Sequence, residues 1–137
     1  MSVPEGKRSQ SHLQIFVNAR ELSVYTIKIC SNEKIFLPQY KVLTNKIIDA
    51  SIDIFINCWT ANNIKVVDNE SYSERHGLQK TAYQECENML TFIQIAGRLF
   101  HLDSRRVKHW GSMTKELKNM ISKWGSSDNE RYKQFKN

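Results

Sequence analysis

The stretch "LQKTAYQECENMLTFIQIAGRLF", residues 78–100, carries the longest unbroken apolar seam in the chain. Its residues Ala82, Cys86, Met89, Ile93, Ala96 and Phe100 recur at alternating steps of four and three, the seam of a helix packed nearly antiparallel against its neighbours. The spacing predicts a helix from Leu78 to about Leu102. Phe92, Ile95 and Leu99 fall off that seam, so this helix carries more apolar surface than one partner face covers.

Downstream, Asp103 can accept hydrogen bonds from the free N–H groups of a following helix. Val107, Trp110, Leu117, Met120 or Ile121, and Trp124 then mark a buried stripe, with Gly125 as the expected stop. Upstream, Pro38 stands where a first helical turn tolerates proline, and Tyr40, Leu43, Ile47, Ser51, Ile52, Phe55 and Trp59 continue at helical spacing. Leu13, Phe16, Val17, Val24, Ile27 and Cys30 point to a first helix reaching about Asn32, although "VYTIKIC" also reads as a strand. "IKVVDNESYSERHG", residues 64–77, carries Asp, Asn, Ser and Gly and reads as a connection, with room for a helical turn of its own.

Four amphipathic helices bury their stripes most simply as an all-α, up-down-up-down antiparallel four-helix bundle. The expected bundle spans residues 12–125, between a mobile N-terminal arm (1–11) and a mobile basic C-terminal tail (126–137). The apolar surplus, with Ile54 and Ile56 on the second helix and Phe92 and Ile95 on the third, suits either a subunit interface or a wider buried stripe.

A chain of 137 residues is long enough for one hydrophobic core and no more. With 40% apolar and 25% charged residues it has the composition of a globular protein. No window approaches the roughly 18 apolar residues that a membrane span needs. The polar start "MSVPEGKRSQS" shows no secretory signal, which leads to the expectation of a cytoplasmic protein without a membrane partner. Cys30, Cys58 and Cys86 lie far apart within apolar segments and read as reduced core residues.

Enzyme signatures are missing from the sequence. It holds no Glu-x-x-His or HExxH pair for a metal, no glycine-rich phosphate loop and no GxSxG turn. His12, His76, His101 and His109 fall at element ends or in the basic segment. Asp49 and Asp53 stand one turn apart but lack a recognisable catalytic partner, and read as a solvated face. The expectation is a protein with no catalytic residues, metal or cofactor.

Charge is more informative. Residues 1–97 hold ten cationic and ten anionic side chains, whereas residues 98–137 hold ten against four, so the whole net charge of +6 lies in the last 40 residues. On the fourth helix only Glu116 answers the cations, where an ordinary solvated face would supply compensating pairs. Arg98, Arg105, Arg106, Lys108, Lys115, Lys118, Lys123, Arg131 and Lys133 are therefore the candidate nucleic-acid contacts. Such contacts would go to phosphates, which fix affinity without reading sequence.

The segment "ECENMLTFIQIAGRLFHLDSRRVKHWGSMTKELKNMISKWGS", residues 85–126, resembles the last two helices of the accessory variability determinant (Avd) proteins of diversity-generating retroelements. These belong with the S23-like four-helix bundle proteins. The resemblance rests on the "ML-x-F" seam, a short turn, a helix opening near "RRVKHW" and a close in "I-x-K-W-G", and covers roughly a third of the chain. It implies a pentamer of four-helix bundles that binds a reverse transcriptase, template RNA and RNA/DNA hybrid in support of mutagenic cDNA synthesis. It implies no catalytic residues, and its basic surface maps onto the helix-four cations named above. Ile54, Ile56, Phe92 and Ile95 are the candidate oligomer contacts. The runner-up is an S23-like bundle that contacts other proteins through its apolar surplus and has no nucleic-acid role.

Overall fold

The computed structural model describes the backbone of residues 5–135 and the side chains of residues 12–135. The described residues form α1 (Glu5–Cys30), α2 (Lys41–Asn63), α3 (Asn69–Leu99) and α4 (Ser104–Arg131), with single 3₁₀ turns at Pro38–Tyr40 and Lys133–Phe135 and no strand. The ambiguous "VYTIKIC" segment is therefore helical. No helix among the described residues is long and apolar enough to cross a membrane.

The helices pack in a four-membered ring: α1 on α2 and α4, α2 on α3, and α3 on α4. Near the start of α1, Phe16 meets Trp59 of α2 and Trp124 of α4 edge-on, at centroid distances of 5.4 and 6.3 Å. At the opposite end, Phe36 from the α1–α2 connection lies 4.6 Å from Phe100 and 6.4 Å from Trp110. These aromatic groups close both ends of one core.

Seams on α3 and α4 follow the sequence spacing: Ala82, Cys86, Met89, Ile93 and Ala96 on the one, and Trp110, Leu117, Ile121 and Trp124 on the other, are buried. The first helix differs. Its buried residues are Ile15, Phe16, Ala19, Leu22, Thr26, Ile29 and Cys30, while Leu13, Val17, Val24 and Ile27 are exposed. The seam is the one carrying Ala19 and Thr26, because Thr26 is the partner that the buried Trp110 indole N–H needs, at 3.0 Å. On α2 the core residues are Ile47, Ala50, Ile54, Cys58 and Ala61, with Trp59 and Tyr40 outside it.

Three boundaries also move. Residues 69–77, read as connection, are the first turns of α3: Asp68 accepts from the Ser71 N–H at 2.8 Å, while the Asp68 N–H donates back to the Ser71 hydroxyl at 3.1 Å. This capping box starts the helix nine residues early, and holds the Asp68 carboxyl below its ordinary pKa through the Ser71 bonds. The α2–α3 connection shrinks to residues 64–68. Gly125 does not stop α4, which continues to Arg131 across residues expected as tail, because Asp128 is drawn inward. At the other terminus α1 begins at Glu5, within the expected arm, and residues 1–4 and 136–137 lie outside the described residues.

Just past the end of the third helix and its cap Phe100, His101 takes a φ of 54°, in the left-handed region where glycine is preferred. Leu102 N–H then bonds back to the Gly97 carbonyl at 3.0 Å. Because the imidazole is exposed, His101→Gly removes backbone strain and little else. It should stabilise the protein by about 1 kcal/mol, read as a higher urea midpoint with unchanged m-value.

All three thiols are buried. Burial pushes the pKa of Cys30 and Cys58 up to about 12, and that of Cys86 higher still, with the neighbouring Cys58 adding to it. At neutral pH all three should stay protonated and unreactive toward a thiol reagent until the protein is unfolded, which a colorimetric titration with and without denaturant checks.

Candidate nucleic-acid interface

The nine candidate cations do not form one patch. Arg98 closes the last turn of α3, and Lys108 and Lys115 lie two turns apart on α4. All three line one groove of about 610 Å³ between these helices, together with Ser104, Gly111 and Ser112. Among the described residues none of the three stands in an ion pair. Their charges are available to an anion in a concave site, where field lines from the low-dielectric walls concentrate.

Two glycines shape this groove in different ways. A Cβ placed on Gly97 would come within 3.0 Å of Val107 Cγ2, so Gly97 lets α4 approach α3 closely at the closed end. Around Gly111 nothing lies within 4 Å, and the missing side chain keeps the groove floor open. The Asp103 cap that starts α4 accepts from the Arg105 N–H at 2.8 Å, as the spacing predicted. It thereby fixes the register that points Lys108 and Lys115 toward α3.

The other candidates are elsewhere. Arg105, 92% exposed, sits 3.6 Å from Asp103, and Arg106 is half-buried near the α4 start. Lys118 pairs with Glu87 at 3.6 Å and lies 5.9 Å from the Tyr83 ring, which uses much of its charge. Lys123 is exposed. Arg131 stacks over Tyr132 at 5.0 Å and Lys133 pairs with Glu130 at 3.2 Å, both at the far end of α4. Among the proposed oligomer contacts, Ile54 is wholly enclosed in the bundle's own core and is corrected to a packing residue, the wider buried stripe being its explanation. Phe92 is half-buried, whereas Ile56 and Ile95 are 51% and 47% exposed.

Asp49 and Asp53 are exposed. Burial, with the Asp53 charge adding, raises the Glu85 pKa above its ordinary value. Among the described residues no group of three His, Cys, Asp or Glu is placed to hold a metal ion.

Sequence reasoning missed a buried polar cluster at the far end of the α3–α4 pair. Arg75 meets Asp128 through two bonds, Nε to Oδ2 at 2.5 Å and Nη2 to Oδ1 at 3.2 Å. Gln79 Nε2 donates to the same carboxylate at 2.7 Å. The guanidinium also lies 5.2 Å from the Trp124 ring centroid and 5.9 Å from that of Tyr132. Burial and the Asp128 charge push the Tyr72 phenol above its ordinary pKa, and its O–H donates to Asn129 at 2.8 Å. The signal was present: stepping the α3 seam back from Ala82 by three and four reaches Gln79, Arg75 and Tyr72, and stepping the α4 seam forward from Trp124 reaches Asp128. Opposite charges on two extrapolated seams announce a buried pair.

Compared with known proteins, the chain matches no protein-family model, no curated protein and no solved structure.

Proposed function

We propose that this chain is a non-catalytic, nucleic-acid-binding accessory protein of the Avd type, an up-down-up-down S23-like bundle that assembles as a pentamer in the cytoplasm. It holds template RNA and RNA/DNA hybrid for a reverse transcriptase in a diversity-generating retroelement, supporting mutagenic reverse transcription. The observation that carries the nucleic-acid part is the groove in which Arg98, Lys108 and Lys115 converge without acidic partners among the described residues. A phosphate backbone satisfies those cations and needs no base contact there. Five copies of a three-cation groove would raise avidity well above that of one, which suits a modest net charge of +6.

Filter binding of RNA tests this reading on three proteins: the wild type, a groove variant with Arg98, Lys108 and Lys115 changed to Gln, and a control with Arg105, Lys123 and Lys133 changed to Gln. Both variants lose the same charge. The groove variant should lose most of its affinity and the control little, and equal losses would show that only net charge matters. Light scattering on the wild type checks the assembly, where a 16.1 kDa particle at micromolar concentration contradicts the pentamer. The exposed Ile56, Trp59 and Ile95 favour a second reading, a protein-interaction bundle with no nucleic-acid role. It becomes the better account if the wild type does not bind RNA.

A further inference from the structure

The α3–α4 pair carries a second concavity besides the basic groove, beyond the Lys118–Glu87 ion pair. On α4 the residues Gly111, Lys115, Lys118, Ser122, Gly125 and Asn129 succeed one another at steps of four and three, one continuous helical face beside the buried seam. Beyond Lys118 that face opens into a second pocket of about 340 Å³, walled on α3 by His76, Gln79, Lys80 and Tyr83. Two buried polar atoms of its wall have no hydrogen-bond partner among the described residues, Gln79 Oε1 and His76 Nδ1.

Gln79 is only 2% exposed, and its orientation is not free. Its Nε2 must face the Asp128 carboxylate, which can only accept, so the carbonyl oxygen is the atom left over toward the pocket. Native proteins rarely leave such an acceptor unsatisfied, since desolvating it without a partner is costly. A ligand donor is a natural partner. His76, one turn before Gln79 and therefore beside it, is held by stacking on Tyr72 at 5.5 Å and 9°. Its Nδ1 supplies the opposite hydrogen-bonding sense when it carries the proton. The wall thus presents an acceptor next to a donor, with the Tyr83 ring and Ile121 for an apolar face and the Lys80 ammonium at the rim.

We infer that this pocket takes one unstacked nucleobase of a single-stranded RNA whose phosphates lie on Arg98, Lys108 and Lys115 further along the same pair of helices. The Watson–Crick edge of every nucleobase pairs a donor with an adjacent acceptor, as the Gln79 and His76 atoms require, and every base offers a flat face to a tyrosine ring. The inference rests on the phosphate-groove reading and adds to it a preference for bases that are not already paired.

Gly125 makes the test selective. A Cβ there stands 3.8 Å from Gln79 Oε1, an ordinary contact, so Gly125→Ala fits, while Gly125→Leu adds bulk beside the oxygen, and a melting temperature equal to the wild type's shows that the Arg75–Asp128–Gln79 bonds survive. Affinities of the full chain and both variants are measured for a short single-stranded RNA and for the same backbone with abasic residues, over a salt series. The wild type and Gly125→Ala should prefer the base-bearing strand by about tenfold, the lower range of one aromatic–base stacking contact. Gly125→Leu should bind both strands alike with its salt dependence unchanged. If Gly125→Leu keeps the preference, or the wild type has none while binding remains salt-dependent, the base pocket is refuted and the phosphate groove stands. A wild type that binds neither strand refutes both. The Gln79 side-chain amide resonances give an independent arm: they should shift on adding adenosine or cytidine monophosphate, and a shift produced only by a short peptide overturns the assignment in favour of a peptide ligand.

Discussion

Asp128→Ala is expected to cost about 3–5 kcal/mol of folding stability, the usual effect of stranding one member of a buried ion pair. The Arg75 side chain is 7% exposed, and without Asp128 its guanidinium keeps only long contacts to the Ala61 and Ile64 carbonyls, at 3.4 and 3.5 Å, beside its two aromatic neighbours. Gln79 Nε2 loses its acceptor in the same step. Since domains of this size are stable by only about 5–15 kcal/mol, urea unfolding should show a much lower midpoint. The last turns of α4 should also fray from about Gly125 and become sensitive to protease. A paired replacement, Arg75→Met with Asp128→Leu, should recover the part of the loss that comes from the stranded guanidinium, because it removes that desolvation cost together with the attraction, while Gln79 Nε2 stays without its acceptor. A single-variant loss under 1 kcal/mol would mean that the pair is hydrated in solution.

Trp110→Ala should cost a similar amount, about 3–5 kcal/mol, for a different reason. Trp110 is completely enclosed. Its ring meets Phe36 and Tyr25 edge-on, each at 6.4 Å, so truncation opens a large cavity where α1, α4 and the α1–α2 connection meet. Its indole N–H donates to the buried Thr26 hydroxyl, which loses that donor. Trp110→Phe isolates the two contributions: it keeps most of the volume and should lose chiefly the hydrogen bond, about 1 kcal/mol. Thermal melts of both variants, with circular dichroism to confirm retained helix, measure the difference. RNA affinity should follow folding in Trp110→Ala, because Lys108 and Lys115 are positioned by the helix that Trp110 anchors.

The sequence was most legible where apolar size and seam position coincide. On α4 the largest apolar side chains sit on the buried stripe, and on α3 the seam recurs at unbroken four- and three-residue steps, so Met89, Ile93, Trp110 and Trp124 could be assigned from spacing alone. On α1 they do not coincide: Ala19 and Thr26 occupy the seam while Val17, Val24 and Ile27 face outward. Apolar residues stand on both faces there, Ile15, Leu22 and Ile29 inside and Leu13, Val17, Val24 and Ile27 outside, so hydropathy alone does not choose, whereas the bond from Trp110 to Thr26 marks the buried face. The start of α3 was hidden for a related reason. Asp68 and Ser71 are turn-forming residues in isolation, and they become a helix cap only when their side chains and backbone bond reciprocally. The candidate site was legible as a charge imbalance but not as a shape. Which cations share a groove depends on the rotation of α4 against α3, set by the contact of Val107 with Gly97, and linear spacing does not carry that information.

In the proposed function Arg98, Lys108 and Lys115 neutralise phosphates in one groove. The most direct measurement is the slope of log Kobs against log salt concentration for single-stranded RNA, compared between the wild type and the Gln variant of those three residues. Each phosphate contact on a single strand contributes about 0.7 to that slope, so losing three should flatten it by about 2 per copy engaged. A flattening of that size with unchanged melting temperature is the predicted result. An unchanged slope in a folded Gln variant, with RNA still bound, would contradict the account and place the phosphate contacts elsewhere on the protein.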